Sequence, residues 1–403
     1  MRILHTSDWH LGRGLSGHDL SAAQAVAVDA LIDIAIDRHV GAIVIAGDVF
    51  DRAFPGIEDV RALNSAFTRI HAAGIPLVVT AGNHDEGARL AAFRNLLDER
   101  VCIVGEYEQV GTAVELHDEH GPVVIYPLPY LDPDGARRAL AAAPDQLLGR
   151  SHEAVMSEAM RRVRTDLAMR RAEHATTRAI VVAHAFVVTG RETGAELLEE
   201  QSGSERDISV GGLATVPSGV FAGVEYVALG HLHGPRNVGG GTAPLIRYSG
   251  SLLRYSISEA GHEKSCTIVD MDARGECTLE VVPLPQPAAM TRLSGTLAEL
   301  CSGANAAHAD DFVEFTLTDA RLPDNFYAQL SERFSRILTV QRPAGGRAAR
   351  AEADKGDAET GAAVTPMETM LNFYAGAVGE EPSTNVVRIL QDVLERARQR
   401  AAG

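Results

Sequence analysis

Short apolar runs recur along the first 230 residues: Ile3-Leu4, Ala42–Ala46, Pro76–Thr80, Val123–Tyr126, Ala179–Ala183 and Tyr226–Leu229. Runs this brief, rich in Val and Ile, predict buried strands. Between them the period lengthens. Ala25, Val28, Ile32 and Ala35 fall at helical spacing, as do Ile57, Val60, Leu63, Phe67 and Ile70, and then Met156, Met160, Val163 and Leu167. Strand and helix alternating in this way predict an α/β fold, with helices covering the sheet on both faces.

The pattern then changes. Leu245–Ser249, Cys266–Asp270 and Cys277–Val282 read as short strands joined by turns, an antiparallel extension of the sheet. Pro283, Pro285 and Pro287 punctuate the chain and mark a boundary, so residues 1–284 form a first domain. Residues 285–342 read as a small α/β unit with strands at Phe312–Thr318 and Ile337–Gln341 and a helix from Asp324 to Phe334. Residues 343–364, rich in Ala, Gly and mixed charge, read as a flexible linker. Helical periodicity returns in a tail over 365–403, through Met367, Met370, Leu371, Val386, Ile389, Leu390, Val393 and Leu394.

Composition narrows this picture without redirecting it. With 45% hydrophobic residues a large core is available, and with aromatics at 5% its packing is aliphatic. The net charge of -17 counts against autonomous clamping of a phosphate backbone. Bound cations or a basic partner can reverse that balance locally. Cys102, Cys266, Cys277 and Cys301 are scattered with no C-x-x-C pair, which argues against a zinc ribbon and fits a reducing compartment. No leader pattern and no membrane-length apolar run is visible, so a cytoplasmic location is expected.

Five of the apolar runs end in residues able to bind a metal. They lead into Asp8-Trp9-His10, Gly47-Asp48-Val49-Phe50-Asp51, Gly82-Asn83-His84-Asp85, His184, and Gly230-His231-Leu232-His233. Each has an ordinary structural explanation when taken alone. Asp48 could end a strand, Asn83 could serve a turn, and His184 could be a satisfied core histidine. Five in one order, each following a strand, make coincidence a poor explanation, because the carboxyl ends of sheet strands share one rim.

The set D-x-H, G-D-x-x-D, G-N-H-D, H and G-H-x-H resembles the calcineurin-like metallophosphoesterase superfamily over residues 1 to about 255. The resemblance implies a two-sheet sandwich flanked by helices, carrying two divalent metal ions. It places Asp8, His10 and His233 on the first ion and Asn83, His184 and His231 on the second, with Asp48 bridging both. It casts His84 as a general acid or transition-state hydrogen-bond donor, oriented by Asp51. The alternative for Asp51 is capping the helix that begins near Ile57. Imidazole and carboxylate ligands suit Mn²⁺, with Fe²⁺, Zn²⁺ and Co²⁺ compatible.

Within the superfamily, the amino-terminal MRILHTSDWHLG, the LGHLH of 229–233, the YSGSL of 248–252 and Glu263-Lys264-Ser265 look like the bacterial SbcD family. Asp51, where archaeal and eukaryotic relatives commonly carry His, fits the bacterial branch. This resemblance implies a homodimer bound to an SbcC-type coiled-coil ATPase. It also implies manganese-dependent 3′→5′ exonuclease action on duplex DNA ends and endonuclease action on single strands and hairpins. The tail would dock the ATPase or pack on its own domain; the 285–342 unit would contact DNA, act as a spacer or pack a dimer. A small-molecule phosphodiesterase with the same metals is the alternative enzyme, and a scaffold with a decayed centre the non-catalytic one.

Overall fold

Apolar runs become strands where both faces find a buried partner. In the computed structural model, residues 1–189, 215–239 and 244–342 are described, together with Ser383, Val386, Val387 and Leu390. The early strands are β1 (Arg2–Thr6), β2 (Ala42–Ala46), β3 (Leu77–Thr80), β4 (Val101–Val104), β5 (Val114–Asp118) and β6 (Gly121–Leu128). They are followed by β7 (Arg178–His184), β8 (Phe186–Val188), β9 (Thr215–Pro217), β10 (Tyr226–Gly230), β11 (Arg236–Val238) and β12 (Leu245–Tyr248). The last are β13 (Ser265–Met271), β14 (Cys277–Pro283), β15 (Met290–Gly295), β16 (Phe312–Leu317) and β17 (Arg336–Gln341).

Two six-stranded sheets dominate, in the orders β14-β13-β1-β2-β3-β4 and β11-β12-β10-β7-β6-β5. Side-chain alternation explains why they stack. Along β2, Ala42, Val44 and Ala46 enter a core shared with Ile180 and Val182 of β7. Their neighbours Ile43 and Ile45 face the helices Ser21–Asp37 and Ile57–Ala72, and Val181 and Ala183 face the helix His152–Glu173. The result is a two-sheet sandwich with helices on both outer faces.

Three details depart from the sequence pattern. The first helix buries Gln24, Ala27, Val28, Leu31, Ile32 and Ala35, leaving Ala25 in solvent. The second helix buries Leu63, Ala66 and Ile70, while its first turns leave Ile57 69% and Val60 46% exposed. β12 joins the second sheet parallel to β10, whereas β13 and β14 extend the first sheet antiparallel. Leu245–Tyr248 is therefore a correction: its apolar run satisfies either direction, and because β11 runs back antiparallel to it, β12 lies parallel to β10.

β15, β16 and β17 form a parallel sheet with its own core of Val313, Phe315, Leu317, Leu330 and Phe334. Its helix, Phe326–Ser331, is shorter than the pattern suggested. Phe312 points the other way into the core of the first sheet, with the His18 ring 5.7 Å away, edge-on. Residues 1–341 accordingly make one compact unit, within which the expected 284/285 boundary falls. The expected linker at 343–364 and most of the tail at 365–403 lie outside the described residues. Among the described residues no helix is long and apolar enough to cross a membrane.

Candidate active site

The carboxyl ends of β1, β2, β3, β7 and β10 meet at one edge of the sandwich, and there the chain leaves extended geometry abruptly. Asp8, His10, Asp48 and His231 all have positive φ, at 51°, 45°, 51° and 107°. Such backbone in non-glycine residues is strained, and it persists where surrounding contacts over-determine it. Here those contacts are backbone bonds between the first two loops: Asp8 N–H to Gly47 O, His10 N–H to Asp48 O and Leu11 N–H to Val49 O, each 3.0 Å. Two glycines permit the close approach. A Cβ on Gly82 would lie 2.1 Å from Asp48 Oδ1, and one on Gly230 would lie 1.9 Å from Ala46 O.

Seven side chains converge at this edge. One group is Asp8, His10 and His233, whose ligand atoms lie within 4.8 Å of one another. His10 Nε2 and His233 Nε2 are 3.1 Å apart. A second group gathers on Asn83, whose Oδ1 lies 2.9 Å from His184 Nε2 and 3.1 Å from His231 Nδ1. Asp48 stands between the groups, its Oδ2 3.6 Å from His10 Nε2 and 3.4 Å from His184 Nε2. Its Oδ1 accepts the His84 N–H at 2.9 Å, which fixes the carboxylate in that position.

Outer partners set which histidine nitrogen faces inward. His184 Nδ1–H donates to Ala46 O at 2.8 Å and His233 Nδ1–H to Glu259 Oε1 at 3.0 Å, so both present Nε2 to the centre. His10 Nδ1 lies 3.6 Å from Asp51 Oδ1, and Gln24 Nε2 holds the His10 carbonyl at 2.7 Å.

Burial dominates the electrostatics. It pushes Asp8 up to about 6, with Asp48 adding to the rise, and pushes His10 down to about 4 and His231 down to about 3. For His184 burial works downward, but the carboxylates of Asp48 and Asp8 raise it to about 9. Buried carboxylates facing one another, beside His10 and His231 kept neutral, form a donor set in which the two acids hold a proton on His184 that a bound cation would displace. Its donors fit divalent cations, with Asp8, His10 and His233 gathered on one side, Asn83, His184 and His231 on the other and Asp48 between.

His84 stands at the rim, half-buried, its ring edge-on to His10 at 4.7 Å. Its Nδ1–H donates to the backbone carbonyl of Asp51 at 2.9 Å. The carboxylate of Asp51 faces His10 and Arg13 instead, with Arg13 Nη1 at 3.3 Å. Asp51 thus reaches His84 through its main chain, a correction to the expected carboxylate–imidazole pair. Nor does it cap the neighbouring helix, where Asp59 accepts the N–H of Gly56 at 2.9 Å.

Sequence reasoning missed two supports. Asp85 accepts from Val49, Phe50 and Gly82 N–H at 3.1, 2.9 and 2.9 Å, tying the second loop to the third; its place in G-N-H-D was the available signal. Burial pushes it up to about 6. Glu259, in a 3₁₀ turn with no motif around it, carried no such signal. Although burial opposes it, His233 and Lys264 hold its pKa well below the usual carboxylate range. Beside His84 a cleft of about 790 Å³ opens past Tyr130, walled by six acidic residues and Arg52.

Residues 1–235 match the family described as calcineurin-like phosphoesterase. The chain is 35% identical over 320 residues to the SbcD component of the SbcCD nuclease from Bacillus subtilis (strain 168), spanning 75% of each protein. It is 33% identical over 309 residues to the same component from Rhodobacter capsulatus, covering 73% of this chain and 71% of that one. Among solved structures, a dimetal phosphatase from Danio rerio overlaps 71% of this chain and 97% of its own, at 10% identity and a TM-score of 0.41. The chain is a hydrolase of the calcineurin-like metallophosphoesterases and belongs, among them, to the SbcD family of nucleases.

Proposed function

We propose that this chain is a two-metal DNA phosphodiester hydrolase with manganese as its metal. In that role it acts as a 3′→5′ exonuclease on duplex ends and an endonuclease on single strands and hairpins, serving DNA repair, recombination and replication in the cytoplasm. The observation that carries the reading is the position of Asp48 Oδ2, between His10 Nε2 and His184 Nε2 at 3.6 and 3.4 Å. One carboxylate shared by two sets of imidazole and oxygen donors is what a paired-cation phosphoesterase needs. When bound, such a pair supplies an activated water and neutralises charge on the phosphoryl oxygens.

The chain's own residues do the rest. Asp8, His10, His233, Asn83, His184, His231 and Asp48 hold the pair. His84, with Nδ1 engaged by the Asp51 carbonyl, presents Nε2 toward the rim. From there a protonated His84 delivers a proton to the leaving alkoxide. The cleft beside it, walled by Asp51, Asp85, Glu86, Glu106, Glu108 and Asp132 with Arg52, offers little grip on a polyanion. That charge supports a division of labour in which an SbcC-type ATPase supplies basic surface, the 285–342 unit contacts DNA and the 365–403 tail docks the ATPase. The exposed Ile57 and Val60, on one helix face and preceded by Phe54 at 74% exposure, support a homodimer.

The test compares manganese-dependent turnover of free-ended duplex DNA, end-blocked duplex and a 2′,3′-cyclic nucleotide, with and without the ATPase partner. Faster cleavage of free-ended duplex supports the proposal. Turnover confined to the cyclic nucleotide replaces it with a small-molecule phosphodiesterase.

A further inference from the structure

Each candidate ligand histidine needs its second ring nitrogen occupied, and three of them meet this need unequally. His184 Nδ1 meets a neutral carbonyl, Ala46 O, at 2.8 Å, and His10 Nδ1 stands 3.6 Å from the Asp51 carboxylate. His233 Nδ1 meets a carboxylate at hydrogen-bond distance, Glu259 Oε1 at 3.0 Å, and both side chains are buried, at 2% and 0% exposure. A carboxylate accepts only, so this nitrogen carries the proton and Nε2 keeps its lone pair for the centre.

Glu259 is itself held. Lys264, fully buried, donates from Nζ to Glu259 Oε2 at 2.7 Å, to Ser251 Oγ at 2.9 Å and to the His233 carbonyl at 2.8 Å. The Tyr255 N–H adds a bond to Glu259 Oε2 at 3.2 Å. Lysine and glutamate thus grip the same histidine from two sides, one on its backbone and one on its ring. The loop that carries Ser251 comes this close because Gly250, at φ +80°, has no Cβ; one placed there would stand 2.7 Å from the His233 carbonyl. Burying an ion pair gives little net stability compared with an apolar pair of the same volume. A purely structural role therefore explains this one poorly.

We infer that Glu259, fixed by Lys264, is the positioning residue for His233, locking its Nδ1–H tautomer so that one of two divalent cations binds tightly. The inference rests on the two-metal reading above. The test uses the full chain, metal-free, titrated with Mn²⁺ alone in a calorimeter, alongside ¹⁵N-histidine NMR of the same metal-free samples to read the His233 tautomer. Wild type binds two ions and shows the Nδ1–H form. Glu259→Gln, which leaves Lys264 facing an amide, weakens one of the two ions by ~10–100-fold and leaves the other unchanged. If that mismatch prevents folding, Glu259→Leu with Lys264→Met buries no charge and carries the same test, with the tautomer lock lost as well. A folded variant of either kind that binds both ions as tightly as wild type overturns the inference alone. A wild type that binds no pair of ions overturns the two-metal reading and this inference together.

Discussion

Replacing His84 by alanine separates the proton-donor role from metal binding. The Asp48 carboxylate is held by the backbone N–H of residue 84 at 2.9 Å, and that bond survives loss of the side chain. What disappears is the Nδ1–H bond to Asp51 O and the ring itself, half-buried at the rim. One such hydrogen bond contributes about 1 kcal/mol, so the variant stays folded and keeps two ions. General acid catalysis typically contributes ~10²–10⁴-fold, equivalent to about 3–5 kcal/mol of barrier. That loss applies to DNA, whose leaving alkoxide must be protonated. It shrinks for an activated diester such as bis(p-nitrophenyl) phosphate, because p-nitrophenolate leaves without a proton. The assay is steady-state turnover of both substrates in manganese, with metal content measured on the same protein. An equal loss on both substrates refutes proton donation by His84. A loss of bound metal refutes its position outside the ligand set.

Other perturbations test other layers of the molecule. Gly82→Ala places a Cβ 2.1 Å from Asp48 Oδ1 and 2.3 Å from its backbone N, so the loop must shift: manganese affinity should fall at least ~10-fold and the melting temperature should drop with it; calorimetry and thermal denaturation read the two. Far from the centre, buried Arg178 donates to both oxygens of Asp118, at 3.0 and 2.5 Å, and holds that carboxyl well below its usual range despite partial burial. A depressed carboxyl stabilises the fold above its unfolded pKa of about 4 and loses that stability as pH falls further. Asp118→Asn should therefore cost about 3 kcal/mol at neutral pH and flatten the acid limb of the stability curve, as measured by urea denaturation between pH 2 and pH 7. Removing residues 365–403 should abolish capture of the ATPase and spare manganese-dependent cleavage, read by co-purification and nuclease assay. Ile57→Glu with Val60→Glu should convert a dimer to a monomer in light scattering, with turnover of an activated diester unchanged.

Sequence alone marked the candidate site residues that the fold brings together, because each lies at the end of its own apolar run and local chemistry marks it. Asp8, Asp48, Asn83, His184 and His231 could be found without knowing which strands touch. Helical and strand periods likewise exposed the alternating architecture, since burial on two faces leaves a local trace in Ala42–Ala46 and Ala179–Ala183. Tertiary structure alone decided what depends on distant parts meeting. The direction of Leu245–Tyr248, the main-chain route from Asp51 to His84, and the packing of Phe312 into the first sheet's core are of this kind. So are the supports: Asp85 spans two loops 36 residues apart and Glu259 reaches back 26 residues to His233. A ligand must carry a donor atom, which restricts its residue type and makes it legible. A supporting group needs only to arrive at the right place, and arrival is set by the long-range closure of two sheets rather than by any short stretch of chain.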